Sequence, residues 1–214
     1  MEERTAEPWD FCYSAQEVEP EIPRLAELLE SEKRFRVLDF GCGAGRHTLY
    51  FANRGFEVSA FDKSAKAVEL LKSALARSNV RAEVRVQDMV DPLPYASATF
   101  DCVMATKVIQ HAKVSDISRI LCEINRILKM NGILFLQVTS YEATFGNNPR
   151  ATAWLEPGTI RAGYGPEKGV IHHFFRKEEL LRFLQNYEVM EMHSGIARHY
   201  NGYCVIARKI KGPE

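Results

Sequence analysis

No stretch of this 214-residue chain approaches the ~20 consecutive apolar residues that a membrane span requires. Met1-Glu2-Glu3-Arg4 also lacks the basic and apolar regions of a signal peptide. These two absences predict a cytoplasmic protein with no membrane partner. An excess of charge is missing too: lysine plus arginine and aspartate plus glutamate number 28 each, for a formal net charge of zero. Proteins that grip phosphate backbones carry a basic excess, so the balance argues against nucleic acid as a partner, although it leaves room for a local basic patch. Clusters of metal-binding residues are lacking. The five cysteines (Cys12, Cys42, Cys102, Cys122 and Cys204) are odd in number and widely spaced, with no CxxC pair. No metal is therefore expected, and reduced thiols fit a reducing compartment. Internal repeats and low-complexity tracts are absent as well. What remains is an ordinary globular composition, 46% hydrophobic and 26% charged, in a length that suits one well-buried α/β domain and is short for two.

One stretch organises that domain: Arg36-Val37-Leu38-Asp39-Phe40-Gly41-Cys42-Gly43-Ala44-Gly45-Arg46. Val37 to Phe40 is short, apolar and bounded by glycines, which predicts a buried strand. Gly41, Gly43 and Gly45 then turn the chain into a helix carrying Leu49, Phe51 and Ala52. Alternate glycines let the backbone take up turn conformations closed to other residues and let a ligand come close to it. Cys42 lies inside this loop as a small residue where bulk is forbidden. A dinucleotide fingerprint needs a third small residue at position 46, and Arg46 stands there instead. The pattern keeps an acid, Asp39, two residues before the first glycine, and a second acid, Asp62, closes the next apolar strand, Val58-Ser59-Ala60-Phe61. A carboxylate in that place accepts both hydroxyls of a ribose. Asp39 is placed for its charge to face a ligand ammonium. A cofactor with a ribose, a cation and no pyrophosphate fits these residues better than NAD.

Asp39-x-Gly41-x-Gly43-x-Gly45 with Asp62 resembles motif I and its successor in the class I S-adenosylmethionine-dependent methyltransferases. The Gly-Cys-Gly-x-Gly-Arg-x-x-x-x-Tyr-Phe-Ala-x-x-Gly run, followed by an aromatic residue and Asp62-Lys63-Ser64, is particularly similar to the tellurite-resistance-type and related small-molecule (type 11-like) methyltransferases. The resemblance covers roughly residues 36–140. It implies an α/β, doubly wound, mostly parallel seven-stranded sheet, the Rossmann-like methyltransferase fold, whose last strand is antiparallel. The cofactor it implies is S-adenosyl-L-methionine, with S-adenosyl-L-homocysteine as product, and the acceptor a small molecule. It also matches Asp88 and Met89, at the carboxyl end of the third strand, to the family's adenine-recognition motif. Thr106 to His111, straight off the fourth strand, match the segment that walls the cofactor and faces the methyl-transfer channel. Lys63 counts with Asp62 on the cofactor side. Trp9-Asp10-x-x-Tyr13 is similar to an N-terminal element that closes over the cofactor as a lid; a frayed terminus pinned by one aromatic is the other reading.

The rest of the chain follows in order. Pro20 to Pro23 open a helix with Ile22, Leu25 and Leu29 on one face. Ser64 caps a helix carrying Val68, Leu71 and Leu75. Ala82, Val84 and Val86 alternate with charged residues, which predicts a strand near the sheet edge. Ile117, Ile120, Leu121, Ile124, Ile127 and Leu128 lie on one helical face, ended by Asn131-Gly132 before a fifth buried strand, Ile133 to Val138. From Tyr141 to Gly169 regularity is lost, and a long loop with aromatics is read as a cover on the substrate side. His172 and His173 stand side by side in a strand and so face opposite ways, which argues against a shared metal. A helix with Leu180 and Leu181 and a closing hairpin complete the domain. The single methyltransferase domain, 1–214, thus divides into an N-terminal lid and helix (1–35), a cofactor-binding core (36–140), a cover (141–176) and a C-terminal helix and hairpin (177–208).

Methyl transfer from a sulfonium needs little besides positioning, because orientation alone removes ~7–11 kcal/mol of barrier. No catalytic residue is therefore certain. His111 and His172 are candidates to contact the substrate or take a proton from a phenol or amine, having a pKa near working pH. A loop-holding histidine is the alternative at His111. Three other functions share this reading: the same fold acting on tRNA or protein, a nicotinamide-dependent oxidoreductase, and a cofactor-binding protein with no transferase activity. A monomer or a homodimer is expected.

Overall fold

A computed structural model of the chain describes residues 17–142, 151–163, 165, 167–195 and 201–212. Trp9 and Tyr13, and with them the aromatic part of the expected lid, lie outside the described residues. After α1 (Ile22–Ser31), strands and helices alternate as β1 (Arg36–Phe40), α2 (Arg46–Asn53), β2 (Glu57–Asp62), α3 (Ala65–Arg77), β3 (Glu83–Val86), β4 (Phe100–Thr106), α4 (Val114–Ile127) and β5 (Leu128–Thr139). Then come β6 (Ala151–Glu156), β7 (Thr159–Ala162), β8 (Ile171–His173), α5 (Lys177–Phe183), β9 (Tyr187–Gly195) and β10 (Gly202–Lys209).

Seven strands form one sheet in the order β3-β2-β1-β4-β5-β10-β9. The pairs β1–β2, β1–β4, β2–β3 and β4–β5 are parallel, and β10 runs antiparallel to both β5 and β9. The expected doubly wound sheet with an antiparallel last strand is therefore present, and β3 lies at its edge as the alternation of Ala82, Val84 and Val86 predicts. Successive strand residues feed opposite faces. Val37 and Val58 pack with Ile22, Leu25, Phe51 and Leu71 on one side, whereas Leu38, Phe40 and Val103 pack with Ile117, Ile124 and Leu180 on the other. Strand order reverses between β1 and β4. Ligands of open α/β sheets bind at such a point, outside the carboxyl ends of the strands.

Two expectations need correction. Residues 141–169 are not without regularity: β6 and β7 pair antiparallel, and β8 adds to β7 to make a second, three-stranded sheet. The two-residue connection is Pro157-Gly158, with Gly158 at φ +78°, a conformation that glycine adopts without strain. The helix at 114–127 also stops earlier than Asn131-Gly132, and Leu128 already belongs to β5. Lys209, from the last strand, explains the early stop. Its buried Nζ donates to the carbonyls of Asn125 (2.6 Å) and Leu128 (2.7 Å), satisfying oxygens left open at the helix end.

Candidate functional site

The loop between β1 and α2 is built on left-handed glycines: Gly41 at φ +73°, Gly43 at +53° and Gly45 at +85°. Space matters as much as dihedral angle. A Cβ on Gly41 would lie 2.3 Å from Val108 Cγ2, and one on Gly45 2.1 Å from Leu71 Cδ1. Asp62, at the end of β2, holds the loop open from the side. Its Oδ2 accepts from the Gly43 amide (2.9 Å) and its Oδ1 from the Ser64 amide (2.9 Å). Burial raises its pKa above the ordinary carboxylate value, against these hydrogen bonds.

Asp39 is more deeply placed. Its Oδ2 accepts from the Thr48 amide (3.0 Å) and hydroxyl (2.6 Å), so it caps the first turn of α2 with an anion at the positive end of the helix. Burial nevertheless lifts its pKa from 3.8 to about 6, against the pull of the two Thr48 contacts. With the folded-state value above the unfolded one, ionisation of Asp39 weakens the fold as pH rises through this range, and the loss is complete above pH ~6. Asp39→Asn keeps an oxygen for Thr48. Its stability relative to wild type is expected to improve by about 2–3 kcal/mol between pH 4 and pH 8, checked by urea unfolding at both values.

Two adjoining cavities open at this end of the sheet. The larger, about 380 Å³, is lined by Asp39, the loop from Gly41 through Cys42, Gly43 and Gly45, Asp62, Thr106, His111 and His172. The smaller, about 60 Å³, is lined by Gly41, Asp62, Lys63, Asp88, Met89 and His111. Gly41, Asp62, Val108 and His111 border both, so Asp62 stands at the junction. Every expected site residue other than Trp9 and Tyr13 lines one or other cavity. Thr106 Oγ1 is buried with no hydrogen-bond partner among the described residues, which leaves a hydroxyl for a ligand.

Further residues, not singled out as site residues in the sequence, line the larger cavity, among them Arg46, with Lys107 and Gln110 of the segment off β4 and Glu167 of the expected cover. Glu19, just before α1, accepts from Arg46 (2.8 Å) and Lys107 (3.0 Å), tying the N-terminal segment to both walls. The buried His47 accepts from Arg46 Nε (3.1 Å), and burial pushes its pKa down to about 3. Nothing in the local sequence around Glu19 signals a partner 27 and 88 residues away.

The two adjacent histidines face opposite ways, as strand geometry requires. His172 lines the cavity. His173 is fully buried behind it, its Nδ1 2.8 Å from Thr159 Oγ1 and its Nε2 3.2 Å from Glu179 Oε2. Thr159 also donates to Glu156, whose other contact is the amide of Val114 at the start of α4. This chain of contacts ties the small sheet to α4 and α5. Thr159→Val leaves the His173 and Glu156 contacts unmet in a buried place, and a loss of about 1–3 kcal/mol in urea unfolding is expected. Among the described residues no group of three or more His, Cys, Asp or Glu side chains is arranged to hold a metal. No helix among them is long and apolar enough to cross a membrane.

Comparison with known proteins agrees with this geometry. Residues 37–132 match the model of a family described as a methyltransferase domain. The chain is similar to the ubiquinone biosynthesis O-methyltransferase of Xanthomonas oryzae pv. oryzae, with 30% identity over 156 residues, 72% of this chain and 62% of that one. It thus spans about three fifths of the length of this curated relative. A SAM-dependent methyltransferase from Methanosarcina mazei superposes with a TM-score of 0.73 at 24% identity, over 91% of this chain and 99% of that one. The 1,6-didemethyltoxoflavin-N1-methyltransferase of Burkholderia thailandensis, solved with S-adenosylhomocysteine, gives 0.67 at 18% identity, over 90% and 80%. These structural likenesses speak for the fold.

Proposed function

We propose that the protein is an S-adenosylmethionine-dependent methyltransferase acting on a small-molecule acceptor, a reading supported by the match of residues 37–132 to a methyltransferase-domain family and by the seven-stranded sheet. The observation that carries this reading is Asp62 at the junction of a small and a large cavity, beside a loop of left-handed glycines in which a Cβ on Gly41 would strike Val108, a residue bordering both cavities. A molecule with a flat base at one end, a ribose in the middle and a charged amino acid at the other fits that shape. Asp88 and Met89 would take the adenine, Asp62 the ribose hydroxyls and Asp39 the ammonium. A cation beside Asp39 offsets the burial penalty on its carboxylate. Arg46 and Lys107 bring cations suited to the carboxylate of the same ligand.

The cofactor supplies an electrophilic methyl group on a sulfonium. The chain's own part is to fix the acceptor against it and to keep competing water away. The volume of the larger cavity is within the range of sites for small organic molecules. The O-methyltransferase similarity points the same way for acceptor size. A cytoplasmic protein, monomeric or homodimeric, accompanies this reading, supported by the free thiols of Cys42, Cys102, Cys122 and Cys204. Calorimetric titration with S-adenosylhomocysteine, with NADH as control, tests it. Saturable binding of the first and none of the second is expected; the reverse pattern would return the chain to the nucleotide-dependent oxidoreductases.

A further inference from the structure

We propose that His172, with the Glu167 carboxylate beside it, takes the proton of the acceptor, and that the acceptor is a phenol or comparable hydroxyl compound that arrives protonated. This rests on the methyltransferase reading and adds to it a base and an acceptor class.

Four observations converge. First, β8 presents His172 to the cavity while His173, on the opposite face, is gripped by Thr159 and Glu179, so the strand behind His172 is fixed. Second, Glu167 in the turn before β8 brings its carboxylate to 3.5 Å from His172 Nε2, an ion-pair distance at which no hydrogen bond is formed, and both residues line the larger cavity. The negative charge beside Nε2 favours the ring proton on that nitrogen over Nδ1. It also stabilises the imidazolium that forms when Nδ1 accepts a proton. Third, His111 meets His172 edge to face, with ring centroids 4.8 Å apart, and its Nδ1 contacts the Ile171 carbonyl at 3.2 Å. Burial, then the His172 charge, pushes the His111 pKa down to about 3, which makes it a neutral wall rather than a base. Fourth, among the described residues the groups that face His172 include His111 from the loop after β4, Glu167 from the turn before β8, and the Phe174 ring stacked at 6.3 Å. Burial lowers the His172 pKa and Glu167 opposes it, so the ring is neutral and able to accept a proton at pH 7.

The acceptor class follows from when the proton must leave. A neutral amine attacks with its lone pair and can shed a proton afterwards into water. A phenol, with a pKa near 10, becomes a strong nucleophile only as its proton departs. In the balanced step the acceptor oxygen gives an electron pair to the methyl carbon, and the carbon–sulfur bond breaks with its pair left on sulfur. The hydroxyl proton passes to His172 Nδ1. Glu167, whose side chain is 48% exposed, offers that proton a way out to solvent.

Catechol, protonated at pH 7.5, and 4-nitrocatechol, largely ionised there, serve as acceptor probes. His172→Gln is expected to lower kcat for catechol by about 100-fold or more, with the loss on 4-nitrocatechol at least tenfold smaller. In wild type the catechol rate falls as pH drops through the lowered His172 pKa. Proton NMR titration of the ligand-free protein gives a second readout: Glu167→Gln, a half-exposed change that spares the fold, moves the His172 titration to still lower pH. Equal losses on both catechols overturn the proposal, as does an unmoved His172 titration in Glu167→Gln. Wild-type protein that binds S-adenosylhomocysteine but methylates neither probe overturns it while leaving the methyltransferase reading intact. Only the absence of S-adenosylhomocysteine binding removes both.

Discussion

Gly45→Ala is expected to destabilise the protein by about 2–5 kcal/mol and to abolish measurable cofactor binding. Two independent costs add up at this residue. A side chain at φ +85° sits in the left-handed region, which costs about 1–2 kcal/mol. The new Cβ would also lie 2.1 Å from Cδ1 of Leu71, and Leu71 is fully buried between α1, α2 and the sheet, so it cannot retreat into solvent. Overpacking of that kind costs about a further 1–3 kcal/mol. Gly55 separates the two terms. It has the same φ of +85° with nothing within 4 Å of a Cβ, so Gly55→Ala bears the backbone cost alone and leaves the cavity untouched. Urea unfolding of both variants, with calorimetry against S-adenosylhomocysteine, should show a large loss in the first and about 1 kcal/mol with intact binding in the second. Equal stability in the two would mean that Leu71 gives way and that the loop is looser than its geometry indicates.

Asp62→Ala should weaken S-adenosylhomocysteine binding by about 2–4 kcal/mol, roughly 30- to 1,000-fold in Kd. The loss exceeds that of one ligand contact because Asp62 has two duties. It accepts the Gly43 and Ser64 amides at 2.9 Å each, which sets the loop, and its remaining lone pairs face the junction of the cavities, where a ribose would sit. Asp62→Asn keeps one acceptor oxygen and should fall between wild type and alanine. Calorimetry checks the order. An alanine variant that binds as wild type does would show that the ribose lies elsewhere.

How much of this was legible beforehand depends on the range over which each feature is determined. The strand–glycine–helix turn, the acid closing β2 and the Asp88-Met89 pair are local. Each needs only a few neighbouring residues, and each lines a cavity as expected. The edge position of β3 followed from alternating side chains, and the opposed faces of His172 and His173 from strand geometry alone. Features set by distant partners were not readable. Leu128 is apolar whether it ends a helix or starts a strand, and Lys209, 81 residues on, decides the matter through its hydrogen bond. The β6–β7 pair was missed because the segment is rich in loop residues, although Pro157-Gly158 was a turn signal in plain view. Glu19 looks like an ordinary surface acid in sequence, and its partners Arg46 and Lys107 come from 27 and 88 residues away.

A crystal structure of the protein with S-adenosylhomocysteine tests the central claim most directly. The account places both ribose hydroxyls within hydrogen-bonding distance of the Asp62 carboxylate, the adenine between Asp88 and Met89, and the sulfur towards the larger cavity that His172 lines. A ribose bound away from Asp62, or a glycine hollow that stays closed to the ligand, would contradict it.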